Sequence, residues 1–115
     1  MQQIIDSRGL LSIIEFDKVP FEPKRVFIRQ NMIPNEIVGN HYHKILEEYI
    51  CVLTGNCEII LENKITGETT IKNCISGDNI HVPIMTKLRL ISKDISTSIL
   101  VLCSENYDPK DVFSD

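Results

Sequence analysis

Two histidines and a glutamate near the middle of the chain are the residues best suited to acid–base chemistry. His41 and His43 are separated by one residue, and Glu48 follows His43 after four intervening residues. A neutral imidazole accepts or donates a proton near neutral pH, so a pair of imidazoles can act as base and acid in one reaction. The same nitrogen and oxygen donors can instead bind a divalent metal. The residue types alone leave both chemistries open.

The spacing of these residues predicts how the chain presents them. Residues two apart on a β-strand leave the same face, so the rings of His41 and His43 should point together, with the residue between them pointing away. Gly39-Asn40 comes just before the pair, and six residues separate Glu48 from Gly55. This pattern is typical of cupins, where all three side chains can converge on a barrel interior. The alternative is that the histidines are ordinary surface residues.

Short apolar stretches separated by turn residues predict strands along most of the chain. The predicted strands span residues 10–16, 25–33, 37–43, 48–53, 57–62, 68–74, 79–82, 87–91 and 97–103. Thr54-Gly55-Asn56 marks the clearest hairpin. His81, the third histidine, falls near the end of a predicted strand and is expected to be partly exposed.

Helical periodicity is missing from every window of a dozen residues. The one helical turn that we predict spans residues 108–112, where Asp108 can cap and Pro109 fits the first helical position. Short strands with no helices between them cannot form a parallel α/β sheet. We therefore predict an all-β jelly roll of about nine to ten antiparallel strands, a closed arrangement that also hides the strand edges.

Length and charge restrict the class of protein. A chain of 115 residues and 13.2 kDa is expected to form a single domain over residues 1–115. The 12 basic and 16 acidic residues give a net charge of -4, which argues against nucleic acid or an anionic membrane as a partner. No apolar run approaches the roughly 20 residues that span a bilayer. The first residues lack the features of a signal peptide, so we expect a cytoplasmic protein.

The four cysteines are expected to be free and mostly buried. Cys51, Cys57, Cys74 and Cys103 lie far apart, each within or beside an apolar run. Without a C-x-x-C pair, a structural zinc site built on thiolates is not expected. A disulfide framework would suit a secreted protein, and the sequence gives no sign of secretion.

Four motifs distributed along the chain resemble one family. They are DSRGLL at 6–11, PF at 20–21 with KRVF at 24–27, GNHYHK at 39–44 and LCSENYD at 102–108. In this order and spacing they resemble the sugar 3,4-ketoisomerases of the cupin superfamily, which act on dTDP-4-keto-6-deoxyglucose, and the related WxcM-like domains. The resemblance covers nearly the whole chain.

The resemblance implies a cupin double-stranded β-helix that forms a homodimer. It implies an isomerase that moves the ketone of a nucleotide-linked sugar from C4 to C3 through an enediol, for bacterial surface polysaccharides. No redox cofactor and generally no metal is expected. By match to the family motif, His41 and His43 are the expected catalytic residues, and which of them is the base stays open.

The same resemblance suggests residues that bind the substrate. Arg8 and Arg25 match family arginines and are candidates for the nucleotide diphosphate, because a forked guanidinium suits phosphate oxygens. Glu48 and Tyr107 are further candidates for substrate binding. The alternative for each arginine is a structural pairing with a local carboxylate.

Several positions depart from the family pattern near the expected chemistry. Val38 replaces a usual arginine, Phe27 and Ile28 replace tyrosines, and Leu88 lies in a stretch without the usual Trp-His pair. Glu48 replaces a common glutamine, which moves the sequence toward metal-binding cupins.

Two alternative functions follow from these departures. One is a metal-dependent cupin that holds a divalent ion with His41, His43 and Glu48 and acts on a different sugar. The other is a relative that binds a sugar nucleotide without catalysing a reaction, because the replaced tyrosines and arginine would have supplied hydrogen-bond donors.

Overall fold

The computed structural model describes residues 1–115 and consists of ten β-strands and two short 3-10 helices. The strands are β1 (Gln2–Asp6), β2 (Gly9–Ile13), β3 (Arg25–Arg29), β4 (Ile37–His41), β5 (Glu48–Thr54), β6 (Asn56–Asn63), β7 (Thr69–Ile75), β8 (Asn79–Val82), β9 (Thr86–Ser92) and β10 (Ser98–Cys103). The helices are Phe16–Lys18 and Pro109–Asp111. Neither helix is long and apolar enough to cross a membrane.

Two four-stranded antiparallel sheets form the body of the protein. One has the order β3-β10-β5-β8 and the other β4-β9-β6-β7. Most neighbours within a sheet are distant in sequence, as in a jelly roll, because the chain passes back and forth between the sheets. The predicted all-β fold with about ten strands is confirmed. Strands β1 and β2 form a separate two-stranded hairpin.

The boundaries of several strands differ from the prediction. The predicted strand 10–16 ends at Ile13, and the unpredicted β1 pairs with it. The predicted strand 25–33 ends at Arg29, because Arg29 is the last residue of β3 with a partner on β10. Strand β4 ends at His41, so His43 lies beyond the strand. The pairing partners, rather than the local apolar pattern, set these boundaries.

Side chains that point inward from both sheets build the core between them. Along β9, every second side chain from Thr86 to Ser92 is buried. On β5, Ile50 and Val52 are fully buried, and burying side chains of this size contributes about 1.5–3 kcal/mol each. Glu48 shares their parity, so the pattern that buries Ile50 also turns the Glu48 carboxylate inward.

The cysteines behave as the sequence predicts. Cys51, Cys57, Cys74 and Cys103 are all free and buried. Burial raises the pKa of each thiol, to about 12 for Cys57. They therefore act as small apolar core residues at neutral pH.

The hairpin between β5 and β6 depends on Gly55. Its φ of 81° lies in the left-handed region. A Cβ at this position would overlap the Thr97 hydroxyl oxygen. That hydroxyl donates to the Asn56 carbonyl at 3.0 Å and fastens the hairpin to the β10 side of the barrel.

Replacing Gly55 tests the close packing of the hairpin against Thr97. Gly55→Ala should lower the free energy of unfolding by about 3 kcal/mol or more, since the methyl group adds overlap with Thr97 to backbone strain. Gly67→Ala is the matched control, because Gly67 has a φ of 77° but open space around its Cβ position. It should cost only about 1–2 kcal/mol. Equal losses of unfolding free energy for the two variants in urea denaturation would contradict the close packing of Gly55 against Thr97.

Candidate active site

His41 and His43 lie side by side. Their ring centroids are 5.2 Å apart, with the planes at 80°. Tyr42, between them in sequence, is buried, and its ring stacks on Phe113 at 5.5 Å. The two imidazoles therefore come together as the two-residue spacing predicts, although His43 lies just past the end of β4.

Hydrogen bonds to the backbone fix the proton on each imidazole. His41 Nδ1 lies 3.1 Å from the Gly39 carbonyl oxygen, and His43 Nδ1 contacts the Asp111 carbonyl oxygen. A carbonyl oxygen only accepts, so each neutral ring must carry its proton on Nδ1. Each Nε2 is then left with a free lone pair. The pair thus presents two nitrogens that can each take a proton.

Asp111 organises the segment that follows His43. Its buried carboxylate accepts backbone N–H bonds from Lys44 at 2.8 Å, Ile45 at 3.2 Å and Leu46 at 3.0 Å. Burial raises the pKa of Asp111, but these N–H bonds and nearby His43 more than offset it, so the pKa lies below its usual value. Asp111 therefore holds both His43 and the connection to β5.

The last residues of the chain form a strap across the histidine strand. Tyr42 and Phe113 exchange two backbone hydrogen bonds, of 2.8 and 3.0 Å. The Tyr42 hydroxyl donates to Asp115 at 3.0 Å. The predicted helical turn is confirmed as Pro109–Asp111, with the Asp108 carboxylate accepting from Lys110 N–H at 2.9 Å.

Asp111 is a site residue that the sequence analysis missed. The only signal was its place in the predicted capped turn, which says nothing about a contact with the distant segment 43–46. That contact joins residues more than sixty positions apart in the chain, and only the folded structure brings them together.

Glu48 is buried beside His43. Its side chain is 9% exposed, and its Oε1 lies 4.0 Å from His43 Nε2. Burial raises the pKa of Glu48 to about 7, although the positive charge of Arg25 opposes the rise. Burial also lowers the pKa of His43, against the opposing influence of Asp111. The neutral form of each group is thus favoured.

A small interior cavity of about 80 Å³ opens next to these groups. His41 and Glu48 line it, together with three positions that depart from the family pattern, Phe27, Val38 and Leu88. Those departures make the cavity wall apolar beside the polar groups. Ile28 does not lie near the expected chemistry. It is on the outer face of β3 and 54% exposed, because its parity is opposite to that of Phe27.

Arg25 and Tyr107 lie close to this group. The Arg25 guanidinium lies 5.0 Å from the Phe27 ring centroid and 5.7 Å from that of Tyr107. Its positive charge lowers the pKa values of both Glu48 and His43. Tyr107 is exposed. Arg25 is thus a half-buried cation beside the candidate acid–base groups.

Arg8 and His81 are not brought to the histidine pair. Arg8 lies at the turn of the β1–β2 hairpin, with an 88% exposed side chain that pairs with Asp6 at 2.7 Å. His81 is partly exposed, as expected, and its Nε2 lies 2.7 Å from Glu47 Oε1. Both make the local carboxylate contacts of structural residues.

The candidate metal ligands do not form a metal site. The structure contains no group of three or more His, Cys, Asp or Glu side chains that could hold a metal ion. Both imidazoles instead bond through Nδ1 to backbone carbonyl oxygens, and His43 Nε2 lies 4.0 Å from Glu48 Oε1.

Comparisons with known proteins give a consistent result. The family described as FdtA: WxcM-like, C-terminal matches residues 1–115. The TDP-4-oxo-6-deoxy-alpha-D-glucose-3,4-oxoisomerase of Aneurinibacillus thermoaerophilus is 35% identical over 112 residues, which are 96% of this chain and 79% of that protein.

Two solved structures extend the similarity to the fold. The sugar 3,4-ketoisomerase QdtA of Thermoanaerobacterium thermosaccharolyticum, solved in complex with TDP, superimposes with a TM-score of 0.85 at 26% identity, covering 99% of this chain and 83% of that one. The TDP-quinovose 3,4-ketoisomerase WlaRB of Campylobacter jejuni gives 0.84 at 29% identity, covering 99% and 88%.

Removing the Asp111 carboxylate should loosen the strap. Asp111→Ala leaves three backbone N–H groups without their acceptor and should lower the free energy of unfolding by about 3 kcal/mol at pH 7. Asp108→Ala, which removes only the cap of an exposed helical turn, should cost about 1 kcal/mol. Urea denaturation of both variants measures the difference.

The effect of Asp111→Ala should also depend on pH. Because the folded pKa of Asp111 is lowered, its contribution is complete above the unfolded pKa of about 3.9 and is lost as pH falls through the folded value. The difference from wild type should therefore narrow at pH 3. A loss that is the same at both pH values, or no larger than that of Asp108→Ala, would contradict the role.

Proposed function

We propose that this chain, which belongs to the FdtA family of WxcM-like C-terminal domains, is a TDP-sugar 3,4-ketoisomerase. It moves the ketone of a TDP-linked 4-keto-6-deoxyhexose from C4 to C3. The observation that carries the proposal is the pair of neighbouring imidazoles, each with its proton fixed on Nδ1 and its Nε2 free. The relatives named as 3,4-ketoisomerases support the reaction and the TDP-sugar substrate class.

The reaction needs a base at C3 and an acid at C4. His43 suits the base, because burial lowers its pKa and keeps Nε2 unprotonated at neutral pH. Removal of the C3 proton gives an enediol, and delivery of a proton to C4 gives the 3-keto product. His41, 5.2 Å away and lining the cavity, can take part in the second transfer.

Arg25 is our candidate for binding the diphosphate. Its guanidinium is permanently charged, and its forked donors match phosphate oxygens. Tyr107, exposed beside it, offers an aromatic surface to the nucleotide. Arg8 stays a candidate through the family motif, although it lies in the hairpin turn, paired with Asp6. A sugar nucleotide is a cytoplasmic metabolite, so we place the enzyme in the cytoplasm.

Substitution of either histidine tests the reaction. Purified protein incubated with TDP-4-keto-6-deoxyglucose in deuterated water should form a 3-keto isomer with deuterium at C4, followed by proton NMR. His41→Asn and His43→Asn should each slow the reaction by about 100-fold or more, since the amide cannot carry the proton.

His81→Asn is the matched control and should retain activity, because His81 pairs with Glu47 away from the site. Full activity in both His41→Asn and His43→Asn would rule out histidine acid–base catalysis. Tight binding of the sugar nucleotide without any exchange or product in the wild-type protein would favour the non-catalytic alternative.

We further propose a homodimer that covers the β1–β2 hairpin. A two-stranded hairpin is at best marginally stable in water on its own. Both of its faces carry exposed apolar pairs, since Ile5 pairs with Leu10 on one face and Ile4 with Leu11 on the other. Ile5 is 80% exposed in the single chain. A second copy of the chain, as the family resemblance implies, would bury these side chains.

A charge on the hairpin should separate the dimer. Ile5→Lys should shift the protein toward monomer in sedimentation equilibrium, because the charge would be buried in the interface. Ile65→Lys is the control: Ile65 is 76% exposed in the turn between β6 and β7 and should leave the dimer intact. A wild-type monomer, or a dimer unaffected by Ile5→Lys, would contradict the proposal.

A further inference from the structure

Glu48 has an unusual position for a buried carboxyl group. Its side chain makes no hydrogen bond with any protein group, although only 9% of it is exposed. His43 Nε2, at 4.0 Å, is the one basic nitrogen that forms a close pair with it. The carboxyl group lines the interior cavity that His41 also lines. A polar group held in this way, and not used to support the fold, is free to interact with a bound molecule.

A 3,4-ketone shift requires proton transfers at oxygen as well as at carbon. O4 must gain a proton when the C4 ketone becomes a hydroxyl, and O3 must lose one when the C3 hydroxyl becomes a ketone. The histidine pair accounts for the two carbon transfers. The two oxygen transfers need a further proton donor and acceptor, and Phe27 leaves this chain without the tyrosine hydroxyl that is usual in the family at that position.

The cavity offers one such group. Apart from His41 and Glu48, its only ionisable lining residue is Arg29, and a guanidinium does not release its proton in this range. The remaining lining residues, such as Phe27, Val38 and Leu88, are apolar. A carboxyl group has two oxygens, so one can donate a proton while the other accepts one.

We propose that Glu48 is a catalytic residue that transfers the oxygen-bound proton between O3 and O4 of the sugar while the histidines transfer protons at carbon. This inference rests on the proposed 3,4-ketoisomerase function and gives Glu48 a role that the glutamine common in the family at this position cannot perform. His43 is then the base that acts at carbon, and the protonated Glu48 carboxyl group is the acid that acts at oxygen.

The first half of the reaction forms the enediol. His43 Nε2 takes the C3 proton, and the electron pair of the C3–H bond becomes the C3–C4 double bond. The π electrons of the C4 carbonyl move to O4, which takes the proton from Glu48. The products are an enediol, an imidazolium and a Glu48 carboxylate.

The second half restores the enzyme. The Glu48 carboxylate takes the proton from O3, and the electron pair of the O3–H bond forms the C3 carbonyl. The electrons of the C3–C4 double bond take a proton at C4 from the His43 imidazolium, after its Nε2 proton has exchanged with solvent. His43 and Glu48 return to their starting forms, so no oxidant, reductant or further reactant is consumed.

The surroundings favour this distribution of protons. Burial raises the pKa of Glu48 to about 7 and lowers that of His43, so the carboxyl group holds a proton while the imidazole is neutral. Environments that separate two neighbouring groups in this way assign one as acid and the other as base.

Several other ionisable groups surround this pair. They are Arg25 on β3, His41 on β4, Cys103 on β10 and Asp111 on the strap. The Arg25 charge opposes protonation of Glu48 and His43 alike, and Asp111 favours the imidazolium. His81 on β8 pairs with Glu47.

Glu48→Gln tests the proposal, because the amide keeps the shape of the side chain but cannot exchange a proton. The variant should lose about 100-fold or more in kcat on TDP-4-keto-6-deoxyglucose, with KM changed much less. The wild-type profile of kcat/KM should fall above about pH 7 as Glu48 ionises, and this alkaline limb should disappear in the variant. Glu47→Gln is the matched control and should behave as wild type, because Glu47 is half-buried and pairs with His81.

Thermal unfolding without substrate tests whether Glu48 carries a proton in the resting protein. A raised folded pKa means that the native protein binds a proton that the unfolded chain releases, so stability falls as pH rises between about 4.5 and 7. The melting temperature of Glu48→Gln should therefore rise relative to wild type between pH 5 and pH 8, and that of Glu47→Gln should not.

The outcomes separate this inference from the proposed function. Wild-type turnover with an equally active Glu48→Gln variant, or an unchanged alkaline limb, would overturn the role of Glu48 and leave the isomerase intact. If the difference in melting temperature between Glu48→Gln and wild type does not change with pH, Glu48 does not carry a proton in the resting protein. Absence of any wild-type isomerisation would overturn the proposed function and, with it, the role of Glu48.

Discussion

The hydrogen bond from His43 Nδ1 to the Asp111 carbonyl oxygen is the interaction on which the candidate site depends. It fixes the proton on Nδ1 and leaves Nε2 free, facing the Glu48 carboxyl group at 4.0 Å. The same residue, through its carboxylate, holds the backbone from Lys44 to Leu46 and so sets the approach of β5 to the histidine strand. One aspartate of the C-terminal strap thus controls both the tautomer and the position of His43, the proposed base.

Burial determines the chemistry that this arrangement can carry out. An imidazole and a carboxyl group placed together in water would both be charged near pH 6 and would form an ion pair. Here burial favours the neutral form of each, lowering the pKa of His43 and raising that of Glu48 to about 7. A buried carboxyl group without a hydrogen-bond partner costs stability. The protein accepts that cost at the point where the proposed reaction needs an acid next to a base.

The sequence predicts the features that depend on local periodicity. Alternation of apolar residues predicts the strands, and the two-residue spacing brings His41 and His43 together. Features that depend on distant partners were missed. The hairpin strand β1 is defined by its pairing with β2, and Asp111 reaches a segment more than sixty residues away. Ile28, expected near the chemistry, lies on the outer face of β3, since a strand pattern with apolar residues on both faces does not reveal which face is inside.

Nitrogen-15 NMR of the His43 ring measures directly whether Nε2 is unprotonated at neutral pH. The ring nitrogens of His43, assigned by comparison with the His43→Asn variant, should show a protonated Nδ1 and an unprotonated Nε2 at pH 7. The midpoint of protonation should lie at a pH below the ordinary histidine pKa of about 6.5, as the lowered pKa requires. A His43 ring that carries its proton on Nε2, or that is doubly protonated at pH 7, would contradict the account.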